Sequence, residues 1–597
     1  MKNAKSVALA KNSGTIIALA LLGYFVIVSS DFKVIASGVA IFLVGMVFLE
    51  DGFKQFAGGI LEEVLKRTTD TLRKAIFSGF FLTSIVQSSS LVTVIAISFL
   101  SAELMGLSQA IGVVFGSNIG TTTTAWIVAG FGVKVKIAYY AMPMIIFGVI
   151  LRFFRGKTYQ GVGLVLLGLG FVFLGIGYMK EGFDTLKEGI DLARFAIPGL
   201  LGVFAYIGVG IVATVVIQSS SATMAIIITA LASGQIVYMN ALALAIGANI
   251  GTTVTAILGS MTSNSNGKRL ALAHLIFNAV TAMVAVVFIY QLADLVNVTA
   301  AFFGMAPENY VLKLALFHTI FNVIGVIIVA PFTKQLVAFL EKRFIRKNLA
   351  TQPKYLDNAV IAMAEPALVA IQKETERLYN KSIKAIAHAL QMHRSDIWSE
   401  RPIEELLETS NLPSPIDIDL YYQDKIKGLY GEILKYATMT QALLEAEHYR
   451  RIYELKIANR KIVEALKDIR GLQRNIAHYL KSQNIYVKRE YDTVRRLIAT
   501  ILRGIEEVHQ NPDDVQAITH IEVIKEEIKQ MDQQFNQHID EMVRNEQITT
   551  HMATSLMNDS HTAYDIATNL LEMATILWIA DPNMRSISLA NVEEEHE

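Results

Sequence analysis

The sequence predicts an all-α polytopic membrane protein in which two inverted repeats carry re-entrant helical hairpins, followed by a cytosolic helical bundle. Three observations carry this prediction: an apolar composition, an uneven spread of charge and an internal repeat. Of 597 residues, 53% are hydrophobic, and the mean hydropathy is +0.42, too apolar for an ordinary soluble chain. Of the 106 Asp, Glu, Lys and Arg residues, 33 lie in the first 333 positions and 73 in the remaining 264. Two differently solvated domains are therefore expected, 1–340 in the membrane and 341–597 outside it. The formal net charge is +0, so no excess of Lys and Arg points to nucleic acid. The chain has no cysteine, which excludes disulfides, thiol nucleophiles and thiolate metal sites.

The chain begins Met1-Lys2-Asn3-Ala4-Lys5, and an apolar run over 15–28 follows Lys11, in outline a secretory signal. A second run over 34–49 follows at once, as expected of a hairpin of retained spanning helices. Further apolar stretches cover 75–102, 105–132, 137–154, 161–179, 198–233, 236–260, 270–295 and 311–332, and a crossing takes about 20 helical residues. Two of them, 75–102 and 198–233, carry a polar cluster at mid-segment.

Those clusters belong to the repeat. Gln87-Ser88-Ser89-Ser90 recurs 131 residues on as Gln218-Ser219-Ser220-Ser221. Gly116-Ser117-Asn118-Ile119-Gly120-Thr121-Thr122 recurs at the same offset of 131 as Gly247-Ala248-Asn249-Ile250-Gly251-Thr252-Thr253. Gly79 and Thr83 match Gly210 and Thr214 in that register, and Phe48-Leu49-Glu50-Asp51-Gly52-Phe53 is echoed by Met179-Lys180-Glu181-Gly182-Phe183. Two motifs holding one spacing mark a duplication, with copies at about 34–155 and 161–295 and an extra helix at 311–333.

Charge placement orients the copies. Lys2, Lys5 and Lys11, then Lys66, Arg67, Arg73 and Lys74, then Arg152, Arg155 and Lys157, and finally Lys342, Arg343, Arg346 and Lys347 flank apolar stretches and are cytoplasmic by the positive-inside rule. An even number of crossings must then separate Lys74 from Arg152. If 75–102 dips in and returns, each copy with its leading helix crosses three times, which inverts the second copy. Lys180, Lys187 and Arg194 then fall outside, interleaved with Glu181, Asp184, Glu188 and Asp191. Beyond Lys342, amphipathic helices are expected over 355–393, 418–449, 451–480, 489–509, 515–542 and 550–579, with breaks at Asn411-Leu412-Pro413-Ser414-Pro415 and Asn511-Pro512-Asp513.

Hydroxyls and carboxamides in mid-membrane can replace water around an anion and lend oxygens to a cation. If the helix breaks at the serines, freed amides at its N-terminal end favour anions and freed carbonyls favour cations. In the second motif, glycine permits a bend, and Asn with Thr can cap a restarting helix. Between Lys74 and Lys134 the one ionisable residue is Glu103, and 195–267 holds no charged residue and no His. A buried anion there needs a compensating charge, which a co-bound cation supplies unless His274 or His318 does. Na+ suits hydroxyl and carbonyl oxygens and needs no titratable carboxylate. His274 with Asn278, and His318 with Asn322, share the pattern His-x-x-Phe-Asn, which puts both polar groups on one helical face and reads chiefly as interhelical hydrogen bonding. The motifs argue against an enzyme, for they pair no carboxylates, set no nucleophile beside a base and offer no Gly-rich phosphate loop ahead of a Lys.

These paired serine clusters, Asn-Ile-Gly-Thr-Thr segments and His-x-x-Phe-Asn elements resemble the sodium-dependent phosphate cotransporter family, the type II carriers and their bacterial relatives, over about residues 30 to 335. The resemblance implies that inorganic phosphate and Na+ bind between the serine hairpins, at Gln87, Ser88, Ser89, Ser90, Gln218, Ser219, Ser220 and Ser221, with Asn118, Thr121, Thr122, Asn249, Thr252 and Thr253 beside them. The second half resembles the PhoU family of helical phosphate-response regulators. His561-Thr562-Ala563-Tyr564-Asp565, followed by Asn569 and Glu572, stands where PhoU proteins carry Glu-x-x-x-Asp. His replaces the Glu, which puts a metal there in doubt, so no cofactor is expected beyond transported Na+. The expectation is sodium-coupled phosphate transport across the plasma (inner) membrane by a multi-pass protein whose cytoplasmic C-terminal domain regulates it, through a partner protein or a homo-oligomer. A phosphate sensor and a phosphate exporter are the alternatives, since a carrier's direction follows its driving forces.

Overall fold

Apolar runs interrupted by clustered polar residues fold as helices broken at those clusters. The structure, a computed structural model, describes residues 23–132, 138–189, 193, 197–260, 263–344, 352–358, 361, 363–409, 416–444, 446–511 and 515–579. Regular structure among these residues is entirely helical. The chain divides into two compact units, Met1–Arg346 and Lys347–Glu597. Most of the run at 15–28 and the breaks expected at 411–415 and around Pro512 lie outside the described residues.

The first unit contains α1 (Ser30–Thr68), α2 (Leu72–Val86), α3 (Ser89–Ser101), α4 (Leu107–Ile127), α5 (Ala138–Arg152), α6 (Lys157–Gly189), α7 (Gly199–Ile217), α8 (Ser220–Ala232), α9 (Tyr238–Ser260), α10 (Ser265–Val287), α11 (Ile289–Phe302), α12 (Tyr310–Val329) and α13 (Thr333–Arg343). Six helical stretches among the described residues are long and apolar enough to cross a bilayer: Ser30–Gln55, Lys157–Lys187, Gly199–Ile217, Tyr238–Leu258, Ser265–Val287 and Tyr310–Arg343.

Glycine spacing sets how these helices pack. On α1, Gly38, Gly45 and Gly52 recur every seven residues, and so do Gly161, Gly168 and Gly175 on α6. A Cβ at Gly45 would lie 2.6 Å from Val172 N and 2.7 Å from Gly168 O, and one at Gly52 would lie 2.8 Å from Gly161 O. The two helices therefore run antiparallel with backbone against backbone. In contrast, α2 and α4 run in the same direction: Gly112 faces Leu72 and Ala75, Gly116 faces Ile76, and Gly120 faces Phe80 and Thr83. The second copy repeats this with α7 and α9, where Gly247 faces Ile207 and Gly251 faces Ile211 and Thr214.

Three stretches depart from the expected outline. Residues 270–295 make two helices, because α10 stops at Val287 and Phe288 leaves helical geometry at φ −108°, ψ 24°; at about 1.5 Å per residue, a single helix over this run outreaches a 30 Å hydrocarbon core. At 311–332, Pro331 interrupts the α-helical ladder, and a 3-10 turn, Ala330–Phe332, leads into α13. The helix expected from 355 begins only at Ala364, since the Glu374 carboxylate takes the backbone N–H groups of Lys354 and Tyr355, each at 2.7 Å.

The second unit is a bundle of α14 (Ala364–Ala389), α15 (Lys427–Leu443), α16 (Tyr449–Tyr479), α17 (Ile485–Gln510), α18 (Val515–Arg544) and α19 (Thr550–Trp578), with short helical turns between α14 and α15. Apolar residues three and four apart, such as Leu455, Ile462, Leu466 and Ile469 on α16 and Val494, Ile498, Ile501 and Ile505 on α17, form its core.

Candidate functional site

The four residues of each serine cluster produce the same elbow. Gln87 adopts left-handed geometry at φ 58°, ψ 21°, and Gln218 does so at φ 57°, ψ 22°. Each Gln N–H closes the preceding helix on a threonine carbonyl, Thr83 O at 2.8 Å and Thr214 O at 2.7 Å. The next residue is extended and caps the following helix: Ser88 Oγ accepts Leu91 N–H, and Ser219 Oγ accepts Ala222 N–H, each at 3.2 Å. The far ends of α3 and α8 also match. Leu104 N–H returns to Phe99 O and Gln235 N–H to Ala230 O, at 2.8 and 2.9 Å, with Glu103 and Gly234 both at positive φ. At each elbow a carbonyl-rich helix end, negative in its dipole, meets an amide-rich end, positive in its dipole.

The two copies touch at α4. The Thr124 hydroxyl donates to Gln87 Oε1 at 2.7 Å and lies 3.3 Å from Ser221 Oγ of the second copy. The Gln87 carboxamide donates to Thr123 Oγ1 at 2.8 Å. Gln87 and Ser88 are buried, Ser89 is half-buried and Ser90 exposed, whereas in the second copy Gln218 is exposed, Ser219 half-buried, and Ser220 and Ser221 buried. Gln218 has no side-chain hydrogen bond to a described residue, in part because Val254 stands at the position matching Thr123.

The Asn-Ile-Gly-Thr-Thr segments lie within continuous α4 and α9, so the expected bend and cap do not form there. Their glycines instead serve close approach to α2 and α7. Thr121, Thr122, Thr252 and Thr253 turn their hydroxyls onto carbonyls of their own helices, Ser117 O, Ile119 O, Ala248 O and Ile250 O, at 2.7 to 3.1 Å. Thr122 Oγ1 also lies 3.1 Å from Thr319 Oγ1, which accepts Trp126 Nε1–H at 2.9 Å. The His-x-x-Phe-Asn elements reach the Asn of each copy: His274 Nε2 stands 3.4 Å from Asn118 Oδ1, and His318 Nε2 stands 3.2 Å from Asn249 Oδ1. Asn249 donates to Asn322 Oδ1 at 2.8 Å and Asn322 to His318 O at 2.8 Å, closing a ring. Asn118 Nδ2 donates to Val114 O at 2.8 Å and Asn249 Nδ2 to Asn322 Oδ1, so each amide oxygen faces the imidazole and an Nε2–H donor fits both contacts.

The sequence reading missed Glu50, Thr123, Thr124 and Thr319. Between Lys74 and Lys134 Glu103 is the one ionisable residue, yet from outside that interval α1 brings Glu50 Oε2 to within 3.0 Å of Ser88 Oγ, which donates to it. Lys54 Nζ holds the other carboxylate oxygen at 2.8 Å. The available signal was a carboxylate at the very end of the apolar run 34–49. In the second unit, His561 Nε2 lies 3.8 Å from Asp565 Oδ2 with both side chains exposed, and among the described residues no group of three His, Cys, Asp or Glu stands close enough to hold a metal ion.

Residues 41–181 and 202–336 match the family described as Na+/Pi-cotransporter. The first unit of this chain is similar to that family. Its matched segments include both elbows, both Asn-containing motifs and both histidines. Among relatives, "Putative inorganic phosphate export protein YjbB" of Salmonella typhimurium is 28% identical over 44% of this chain and 47% of its own length, and the protein of the same name in Escherichia coli K12 is 28% identical over 43% of this chain and 47% of its own length. "Uncharacterized protein YqeW" of Bacillus subtilis is 28% identical over 42% of this chain and 79% of its own length. The chain thus spans about half the length of the YjbB proteins. No solved structure matches. The Na+/Pi-cotransporter family is a family of transporters, and the apolar helices make this chain a multi-pass membrane protein.

Proposed function

We propose that this protein, similar to the Na+/Pi-cotransporter family, moves inorganic phosphate together with Na+ across the plasma membrane, binding both between the two serine elbows. The observation that carries the reading is Thr124, which ties Gln87 of one copy to Ser221 of the other, so that two dipole-rich elbows face one polar core. Amide ends and hydroxyls can replace the hydration of an oxyanion, and freed carbonyls that of a monovalent cation. On this reading the copies are inverted. Antiparallel α1 and α6 start the two repeats from opposite ends. The α3–α4 turn meets the start of α10 through Asn266 Nδ2–H to Leu100 O at 3.0 Å, whereas the α8–α9 turn meets the end of α6 through Gln235 Nε2–H to Phe183 O at 3.3 Å. Residues 1–340 form the transport domain, and 341–597 a PhoU-like cytoplasmic bundle that regulates it.

The names of the YjbB relatives favour a second reading of direction, export. Purified full-length protein in liposomes separates the readings through phosphate flux in both directions, with Na+ or K+ as the driving cation and sulfate as competitor. Na+-driven phosphate uptake is expected. Equal flux in K+ removes the coupling, and tight phosphate binding with no flux makes the protein a sensor.

A further inference from the structure

Glu50 lies near the end of the membrane-spanning stretch Ser30–Gln55 of α1, beside Asp51 and Lys54, and an ionisable group within such a stretch is costly to keep without a partner. Its two oxygens have different neighbours. Oε1 holds Lys54 Nζ one turn along the same helix at 2.8 Å, an ion pair with Lys54 about half exposed. Oε2 accepts the Ser88 hydroxyl at 3.0 Å, and Ser90 Oγ stands 3.1 Å from Ser88 Oγ. The carboxylate is therefore set against the amide end of α3, the end of the first elbow at which an oxyanion docks most favourably. Two negative groups at one helix end repel unless a cation lies between them. The second elbow has no such arrangement: among the described residues, no carboxylate bonds Ser219.

We propose that Glu50 is the residue that makes phosphate binding conditional on Na+. Without Na+, the carboxylate opposes an incoming phosphate at Ser88 and Ser90, because Lys54 pairs with the other oxygen, Oε1, and stands half in solvent, which offsets the charge facing the elbow only in part. Na+ held by Glu50 Oε2, those two hydroxyls and the freed carbonyls at the end of α2 cancels the charge and admits the anion. The coupling site then belongs to the first copy alone. This inference rests on the Na+-coupled reading of the site given above.

The test is equilibrium binding of inorganic phosphate to full-length protein in liposomes, in NaCl against KCl at one pH, for the wild type, Glu50→Gln and Glu50→Asp. Glu50→Gln keeps an acceptor for Ser88, and its unfolding temperature is measured alongside. Na+ should raise wild-type phosphate affinity by a factor within the usual coupling range of about 5 to 150. In Glu50→Gln the enhancement should shrink below about twofold, with phosphate still bound in K+, and Glu50→Asp should retain most of it. A Glu50→Gln variant with the wild-type Na+ enhancement overturns the proposal, as does one that binds phosphate in neither salt, which would make Glu50 only a structural partner of Ser88. A wild type that binds phosphate equally in both salts instead defeats the coupled-transport reading, and the role of Glu50 with it.

Discussion

Thr124 Oγ1 stands 3.3 Å from Ser221 Oγ while donating to Gln87 Oε1 at 2.7 Å, so one buried hydroxyl links the first elbow to the second. No other hydroxyl among the described residues bonds side chains from both serine clusters.

Replacing Thr124 with Val keeps the shape and removes the donor. Gln87 Oε1 is then left unpaired in a buried site, at a cost of about 1–3 kcal/mol. Phosphate uptake in liposomes is expected to fall at least ~10-fold, with a moderate loss of thermal stability. Unchanged uptake would sever the link between this hydroxyl and transport.

The copies differ in how they hold their glutamines. Gln87→Ala should lower both unfolding temperature and flux, because its carboxamide is buried and bonded to Thr123 and Thr124. Gln218 is exposed, so Gln218→Ala should leave stability within about 0.5 kcal/mol of wild type while still reducing flux. Thermal unfolding and initial uptake rates, measured on the same preparations, check both expectations.

The ring of His318, Asn249 and Asn322 predicts strong coupling. His318→Ala and Asn322→Ala should each destabilise the protein, and the double variant should cost less than the sum by about 0.5–3 kcal/mol. Additive losses would mean that the ring does not act as a unit.

Asp559 in the second unit is held above the ordinary aspartate range by burial, an effect that its bonds from Tyr491 and Asn475 offset only in part. The folded unit therefore binds this proton more tightly than the unfolded chain, and stability falls as pH rises through the interval above the ordinary value of 3.8. Asp559→Asn retains an oxygen for Tyr491 and Asn475. It should raise the unfolding temperature of this unit near neutral pH and show little gain near pH 4, which calorimetry of the full chain at the two pH values would read.

Much of this was legible in the sequence, for identifiable reasons. A polar tetrad inside an apolar run locates a helix break, and the 131-residue register marks the second. The histidine and asparagine spacing gave the shared face, but their partners Asn118 and Asn249 come from other helices. Glu50 was overlooked because its contact with Ser88 spans 38 residues and no periodicity encodes it. Thr124 hid within Thr121-Thr122-Thr123-Thr124, where only tertiary packing selects the residue that reaches across. The bend expected at Asn-Ile-Gly-Thr-Thr failed because those glycines permit close helix contact rather than a turn, a distinction that spacing alone does not make. The seven-residue glycine series on α1 and α6 was visible but unread.

That series tests simply. Gly45→Val forces a branched side chain onto Val172 N and Gly168 O and should cost about 1–3 kcal/mol or more, while Gly177→Ala on α6, with nothing near its Cβ position, should be tolerated. Unfolding temperatures in detergent compare the two.

The glycine series also restricts movement. Along either helix, glycine comes opposite glycine again only after seven residues, about 10.5 Å, and every shorter slip drives side chains into a neighbouring main chain. The α1–α6 pair is thereby a fixed mast. On the transport reading proposed above, any swing of the elbows is expected to hinge on helices packed through side chains rather than on this pair.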